Sequence, residues 1–142
     1  MRKWRRLLLQ QSVHQSAYVD ELPVLPETVP LYYNDVQQRS FDASVLASLA
    51  LMEGVGPESA THAIVLSETC FYPEGGGQEG DYGSLTTDGT SRQVLDTQKQ
   101  GDLILHLCDG PFEVGDLVHG SIDWRRRKQL MDHHTAVHIV GG

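Results

Sequence analysis

Cysteine is scarce in this 142-residue sequence. Cys70 and Cys108, 38 positions apart, make no disulfide framework, so a reduced, cytoplasmic setting is the expectation. Long apolar runs are missing as well. No stretch approaches the ~18 apolar residues a membrane helix needs. The basic start at residues 1–6 leads only into Leu7, Leu8 and Leu9 before Gln10, too short for a signal peptide's apolar stretch. Secretion and membrane insertion are set aside on these grounds. Cations are nearly absent from the middle of the chain: residues 7–124 hold Arg39, Arg92 and Lys99 against 18 acids, a net of −15 within an overall charge of −8. Such a body repels a polyanion, so nucleic-acid contact would be confined to the two basic ends. These are Arg2, Lys3, Arg5 and Arg6 at one end, and Arg125, Arg126, Arg127 and Lys128 at the other. Taken alone, a four-residue basic run is more often a solvated helix face.

What is present belongs to a globular protein. Apolar residues make up 39% and charged residues 21%, and the length suits one medium domain or a small domain with attached elements. Residues 1–19 are helix-permissive. Residues 20–30 carry Pro23, Pro26 and Pro30 among three acids; proline removes backbone donors and keeps the preceding residue extended, so this stretch predicts a linker. From residue 31 the texture turns to strand. Phe41, Ala43, Val45 and Ala47 alternate with other residues as in a half-buried strand, residues 54–59 form a loop, and residues 62–67 predict a buried strand. Further short strands are expected at residues 92–96, 102–108 and 116–124, parted by turns at 86–91, 98–101 and 109–115. Spacings of roughly ten residues suggest a mainly β protein, a small barrel or sandwich. Cys70 and Cys108 beside apolar residues read as buried, inert thiols. His106, between Leu105 and Leu107, reads as an outward-facing strand residue, and Trp124 as a packing anchor. At Asp123 the texture changes again, to an N-cap followed by good helix formers up to Gly141. The basic run then occupies the helix's first turn, where the dipole disfavours positive charge, a hint of anion contact.

Two constellations carry chemistry. In His134-Thr135-Ala136-Val137-His138 the imidazoles stand at i and i+4, about 6 Å apart on one helix face, a spacing that suits one metal ion, zinc above all. Thr135 stands where zinc proteases have their glutamate base, so that chemistry is disfavoured. Zinc needs three or four ligands, and Cys70, Cys108, His106, His62 and Asp132 show no recognisable ligand spacing; two histidines on a helix face without metal remain an alternative. The second constellation runs from Phe71 to Gly83 around Gly75, Gly76 and Gly77. Three glycines permit positive φ and close approach, yet no Gly-Lys-Ser/Thr follows, no dinucleotide fingerprint leads into a helix, and the loop holds Glu74, Glu79 and Asp81 without a cation. A tight hairpin with a bulge explains the glycines as well. Gln78 is the polar group best placed to meet a molecule approaching that bare backbone.

Together these segments resemble the alanyl-tRNA synthetase family, in the archaeal-type style, where its editing region begins. The likeness runs from about Leu31 to Gly142. It rests on Leu31-Tyr32-Tyr33 leading to Phe41-Asp42-Ala43, on Ser67-Glu68-Thr69-Cys70-Phe71-Tyr72-Pro73-Glu74-Gly75-Gly76-Gly77-Gln78, on Gly80-Asp81-Tyr82-Gly83, on Ile122-Asp123-Trp124-Arg125-Arg126-Arg127, and on His133-His134-Thr135-Ala136-Val137-His138. The resemblance implies a translation-protein-like β-barrel at residues 31–123, after a helix-prone segment and proline-rich linker at 1–30, and the first helix of an α+β editing domain at 124–142. It implies hydrolysis of Ser-tRNA(Ala) or Gly-tRNA(Ala), with tRNA(Ala) as partner. By carry-over, His134 and His138 match two zinc ligands, Gly75, Gly76, Gly77 and Gln78 match a glycine-rich motif facing the editing pocket, and Thr135 is placed to sense the serine hydroxyl. Arg125, Arg126, Arg127 and Lys128 are the candidate tRNA contacts. The family's later Cys and His ligands have no counterpart here, and neither has the activating domain that uses ATP and magnesium. The expectation is a piece of a ligase that is inactive by itself as a deacylase. A free-standing trans-editing deacylase and a non-enzymatic tRNA-binding module are the alternatives.

Overall fold

The computed structural model describes residues 17–33, 38–75 and 77–126. Its centre is a closed barrel of six antiparallel strands, in the spatial order β2 (Ser40–Ala50), β3 (His62–Leu66), β7 (Leu103–Cys108), β6 (Thr90–Gln100), β5 (Gly83–Thr87) and β8 (Leu117–Ile122), which pairs back to β2. Closure leaves no free edge among these strands. A small parallel pair, β1 (Val29–Pro30) with β4 (Glu68–Thr69), lies beside the barrel. The mainly β expectation holds. Among the described residues no helix is long and apolar enough to cross a membrane.

The interior is filled by Phe41, Ala43, Val45, Ile64, Leu66, Phe71, Leu85, Val94, Val118 and Ile122, with the buried thiols of Cys70 and Cys108 among them. Phe71 meets Phe41 edge to face, with centroids 5.9 Å apart, the preferred geometry of an aromatic pair. The strand at 40–50 forms as its alternation predicts, with one departure. Val45 pairs with Leu66 but Ala47 with Val65, so two residues face one, and the bulge turns Ala47 to the outer side of the barrel. A second bulge between Val94 and Asp96 bends β6 against β7.

The proline-rich stretch expected as a linker is packed on the barrel instead. Val19, Leu22 and Leu25 cover an outer apolar face made by Ala47, Ala63, Val65, Leu103, Leu105 and Leu107. The backbone N–H groups of Tyr18 and Val19 donate to the Gln100 side-chain oxygen at 2.8 and 3.2 Å. Thr28 donates its hydroxyl to the Leu66 carbonyl at 2.7 Å, and the Val29 N–H donates to the Ser67 carbonyl at 3.0 Å. With both faces covered, every residue of β7 is buried.

This double burial also corrects the reading of His106. It points into the barrel rather than outward and is fully buried. Its Nδ1 lies 2.8 Å from the Ile64 carbonyl oxygen. A carbonyl only accepts, so Nδ1 carries the proton, and Nε2 accepts from the Thr69 hydroxyl at 2.8 Å. Thr69 Oγ1 in turn accepts from the Phe71 N–H at 3.0 Å. Turn positions differ from expectation at two places. The glycine-rich region continues into β5, and residues 86–91 are mostly the β5–β6 hairpin, turning at Asp88 and Gly89. Residues 98–100 extend β6 rather than form a turn.

Candidate functional site

At one end of the barrel the chain after Phe71 leaves the interior and makes a tight excursion before returning as β5. Two anchors hold its stems. On the outgoing side the Glu74 N–H donates to the Thr97 carbonyl at 3.0 Å, and Gln98 Nε2 bridges Glu74 Oε1 at 2.6 Å and Asp96 Oδ2 at 2.8 Å. On the returning side Asp81 and Tyr72 exchange hydrogen bonds: the Tyr72 N–H donates to Asp81 Oδ2 at 2.8 Å, and the Asp81 N–H donates to the Tyr72 carbonyl at 3.0 Å. Thr97 Oγ1 donates to the Asp81 carbonyl at 2.9 Å. The tip closes on itself, because Gly75 and Gln78 each donate an N–H to the other's carbonyl, at 3.0 and 2.9 Å. A reciprocal bridge across two residues is the tight hairpin that glycine content alone suggests.

Two glycines have different reasons to be there. Gly77 has φ +85°, a conformation that L side chains rarely adopt, while a Cβ at that position would meet only open space. Gly80 is a matter of room, since a Cβ there would collide with the Thr97 carbonyl and crowd the Asp96 side chain. Gly75 is exposed with nothing near it, and Gln78 is half-buried. The tip therefore presents nearly bare backbone, with the Gln78 side chain beside it. Gly76 lies outside the described residues.

The barrel's last strand delivers a second element to the same end. Helical conformation starts at residues 124–126. As predicted, Asp123 is the cap: its Oδ1 accepts from the Arg126 N–H at 3.1 Å. The Asp123 N–H itself donates to the Tyr82 carbonyl at 2.7 Å. Trp124 packs against the interior cluster, with the Arg39 guanidinium 4.7 Å from its ring centroid. Arg126 reaches back across the glycine excursion. Nη1 donates to the Gly80 carbonyl at 2.7 Å, Nη2 pairs with Glu79 at 2.5 Å, and the guanidinium carbon lies 3.5 Å from the centroid of the Tyr82 ring. The acidic loop, which contains no cation in sequence, receives one from 47 residues further along the chain. A positive charge in the first helical turn is unfavourable by the dipole alone; the Glu79 carboxylate and the Gly80 carbonyl offset it here.

Electrostatics at this end follow from partial burial. Asp96 is held above the ordinary carboxylate range chiefly by burial, with Glu74 adding to the shift; the Gln98 and Thr97 donors and the Arg126 charge oppose it. The Tyr18 hydroxyl is likewise raised, by burial first and then by Asp96 and Glu74. Deeper in the barrel, burial pulls His106 down to about 4 against the Ile64 carbonyl, so the imidazole is neutral. Burial pushes the Cys108 thiol up, consistent with an unreactive side chain. Among the described residues no three His, Cys, Asp or Glu side chains converge as a metal ion requires.

Of the residues singled out from sequence, the fold brings Gly75, Gly77, Gln78 and Arg126 to one end of the barrel. Arg125 is exposed beside them. Arg127, Lys128, His134, Thr135 and His138 lie outside the described residues. Sequence reasoning did not find Gln98, Asp96 or Tyr82 as parts of this end. The only signal for Tyr82 was its place in Gly80-Asp81-Tyr82-Gly83, and nothing local marks the other two. A broad surface cleft elsewhere, lined by Thr87, Arg92, Phe112, Glu113, Asp116 and Leu117, involves none of the glycine excursion.

A family model described as tRNA synthetases class II (A) matches residues 4–126. Among curated proteins, the chain is 42% identical over 122 residues to the alanine–tRNA ligase of Natronomonas pharaonis, covering 86% of this chain and 13% of that protein. It is 44% identical over 120 residues to the alanine–tRNA ligase of Pyrococcus furiosus, covering 83% and 12%. The corresponding ligase of Halobacterium salinarum is 46% identical over 121 residues, covering 85% and 13%. The chain thus spans only 12–13% of the length of these relatives. Identity at this level along most of the chain leaves no room for chance likeness: the chain belongs to the alanyl-tRNA synthetase family of class II tRNA synthetases.

Proposed function

We propose that this chain is the barrel of an alanine–tRNA ligase that supports hydrolytic editing of Ser-tRNA(Ala) or Gly-tRNA(Ala). The observation that carries this reading is the meeting, at one end of the barrel, of the glycine excursion, with Gly75 and Gly77 exposed, and the start of a helix at residue 124, joined through Arg126 to Glu79 and Gly80. His134, Thr135 and His138 follow in sequence within a dozen residues of Arg126. In the whole protein, joining alanine to tRNA(Ala) with ATP and magnesium is assigned to a separate activating domain.

Editing breaks the ester between the amino acid's carbonyl carbon and a ribose oxygen. Water adds to the carbonyl, an oxyanion develops, and the ribose oxygen leaves with a proton. Such a step needs a water oriented towards the carbonyl and donors aimed at the developing charge. A bare hairpin tip lets the crowded 3′ end of a tRNA approach closely, and the Gln78 amide is a donor at that surface. Thr135 is assigned to contact the serine hydroxyl, the group that separates serine from alanine. His134 and His138 supply two imidazoles for zinc, which on binding would polarise or position the substrate end. Among the described residues no three His, Cys, Asp or Glu side chains form a site by themselves, and the remaining ligands are assigned to a downstream Cys and His. On this reading the 142-residue chain alone is not a useful deacylase. Arg125, exposed at the same end, is the described residue best suited to a tRNA phosphate, joined by Arg127 and Lys128.

The test compares this chain with one extended through the next downstream Cys-x-x-x-His, measuring zinc stoichiometry and Ser-tRNA(Ala) hydrolysis together. Zinc and activity are expected in the extended chain only, with Gln78→Ala lowering the rate. An extended chain that binds zinc but leaves Ser-tRNA(Ala) intact would overturn the editing role. Hydrolysis by the short chain would overturn the split site.

A further inference from the structure

Arg126 stands in a basic run whose other described member, Arg125, is exposed, yet its own side chain is only 18% exposed. Its donors are turned inward. One terminal nitrogen is committed to the Gly80 carbonyl, the other to Glu79, and its flat face covers Tyr82. A phosphate approaching this guanidinium would have to displace a charge-assisted pair and a cation–π contact at once. The same residue's backbone N–H is capped by Asp123. Arg126 is therefore tied to the helix start through its main chain and to the returning stem of the glycine excursion through its side chain. None of these bonds belongs to the barrel's strand pairing, which is complete at Ile122.

We propose that Arg126 is a positioning residue, a clamp that sets the glycine hairpin against the first turn of the helix leaving the barrel, and not a tRNA contact like its neighbours. As a role in catalysis, this rests on the editing reading. The clamp itself does not. Arginine suits the task because the guanidinium offers a carbonyl bond, a carboxylate bond and a flat face together, whereas lysine keeps only the charge.

Two measurements decide the matter. The first is hydrogen exchange on this chain, which needs no substrate. Arg126→Ala is expected to speed amide exchange about tenfold at residues 77–82 and 123–126, with β3 and β7 unchanged. Arg126→Lys is expected to restore only part of the protection, and Tyr82→Phe to leave it intact because the ring remains. Unchanged exchange in Arg126→Ala would overturn the clamp. Exchange accelerated throughout the barrel would overturn it too, by making Arg126 a general stability residue.

The second measurement is Ser-tRNA(Ala) deacylation by the full-length ligase carrying this sequence. Arg126→Ala is expected to lower kcat about tenfold with KM held within about twofold and an unchanged salt dependence of tRNA binding. Arg125→Gln is expected to do the reverse, weakening binding and flattening its salt dependence. A raised KM with a flatter salt slope and unchanged kcat in Arg126→Ala would make Arg126 a phosphate contact and overturn the proposal. A wild-type ligase unable to deacylate Ser-tRNA(Ala) would sink the editing reading alone, and the exchange result would still decide the clamp.

Discussion

Inside the barrel, His106 sits against Phe71, Ile64 and Thr69 with both ring nitrogens engaged and no access to water. At the rim, a few residues beyond Phe71, the glycine excursion is held by carboxylates, an amide and a guanidinium, many of them partly wet. The same chain passes from one regime to the other between Phe71 and Glu74. In the interior, packing dominates and a polar group survives only with every bond satisfied, because an orphaned donor or acceptor there costs its full desolvation. At the rim each polar bond is worth little to global stability, and its value lies in fixing where neighbouring segments stand. The two regions should therefore respond to substitution in opposite ways, the interior through the folding equilibrium and the rim through local order and activity.

The largest effect is expected at Phe71, which is fully buried. Phe71→Ala should cost about 3–5 kcal/mol in urea unfolding, and a loss below about 1 kcal/mol would show that the interior collapses around the gap. The second is a pH effect. His106 lies at about 4 in the folded protein against an ordinary 6.5. As pH falls, the unfolded chain takes up the proton first, so His106's contribution is complete above about 6.5 and is lost progressively on going down towards about 4. The span amounts to about 3 kcal/mol. Comparing the stability of wild type and His106→Gln across this window isolates it; equal slopes would mean that His106 does not titrate as its burial requires. Third, Thr69→Val should cost about 1–3 kcal/mol, since it leaves His106 Nε2 and the Phe71 N–H without their partner. A neutral result by thermal unfolding would put a compensating group in the barrel. Smallest is Glu79→Gln at the rim, where the carboxylate is 67% exposed. Global stability should move by less than about 1 kcal/mol, and a larger loss would erase the contrast between the two regions.

Much of the barrel was legible. The alternation of Phe41, Ala43 and Val45, the apolar run at residues 62–66, and the Asp123 cap all express local physics, and each formed where expected. The misses have a common origin. Ala47 changed sides because one extra residue in β2 reverses the alternation after Val45, and no local signal marks a bulge. His106 was read as outward because one face of its strand was assumed to meet solvent. The Val19–Leu25 segment covers that face, so Leu105 and Leu107 are buried outside the barrel and His106 within it. Proline content removes backbone donors and argues against a helix there, but it does not say whether a segment hangs free or lies on a surface. At the rim, the glycines and the acids of the loop were visible while the cation that answers them was not.

Periods, turn residues and caps depend on neighbours a few positions apart, and the sequence by itself determined these: the strand-rich class, the glycine hairpin, the helix start and the family likeness that their order carries. Which face of a strand is inside, what covers the other face, and which distant charge meets Glu79 depend on register, bulges and barrel closure. Those were decided only by the tertiary structure, because closing six strands into a ring couples each strand's side-chain direction to all the others.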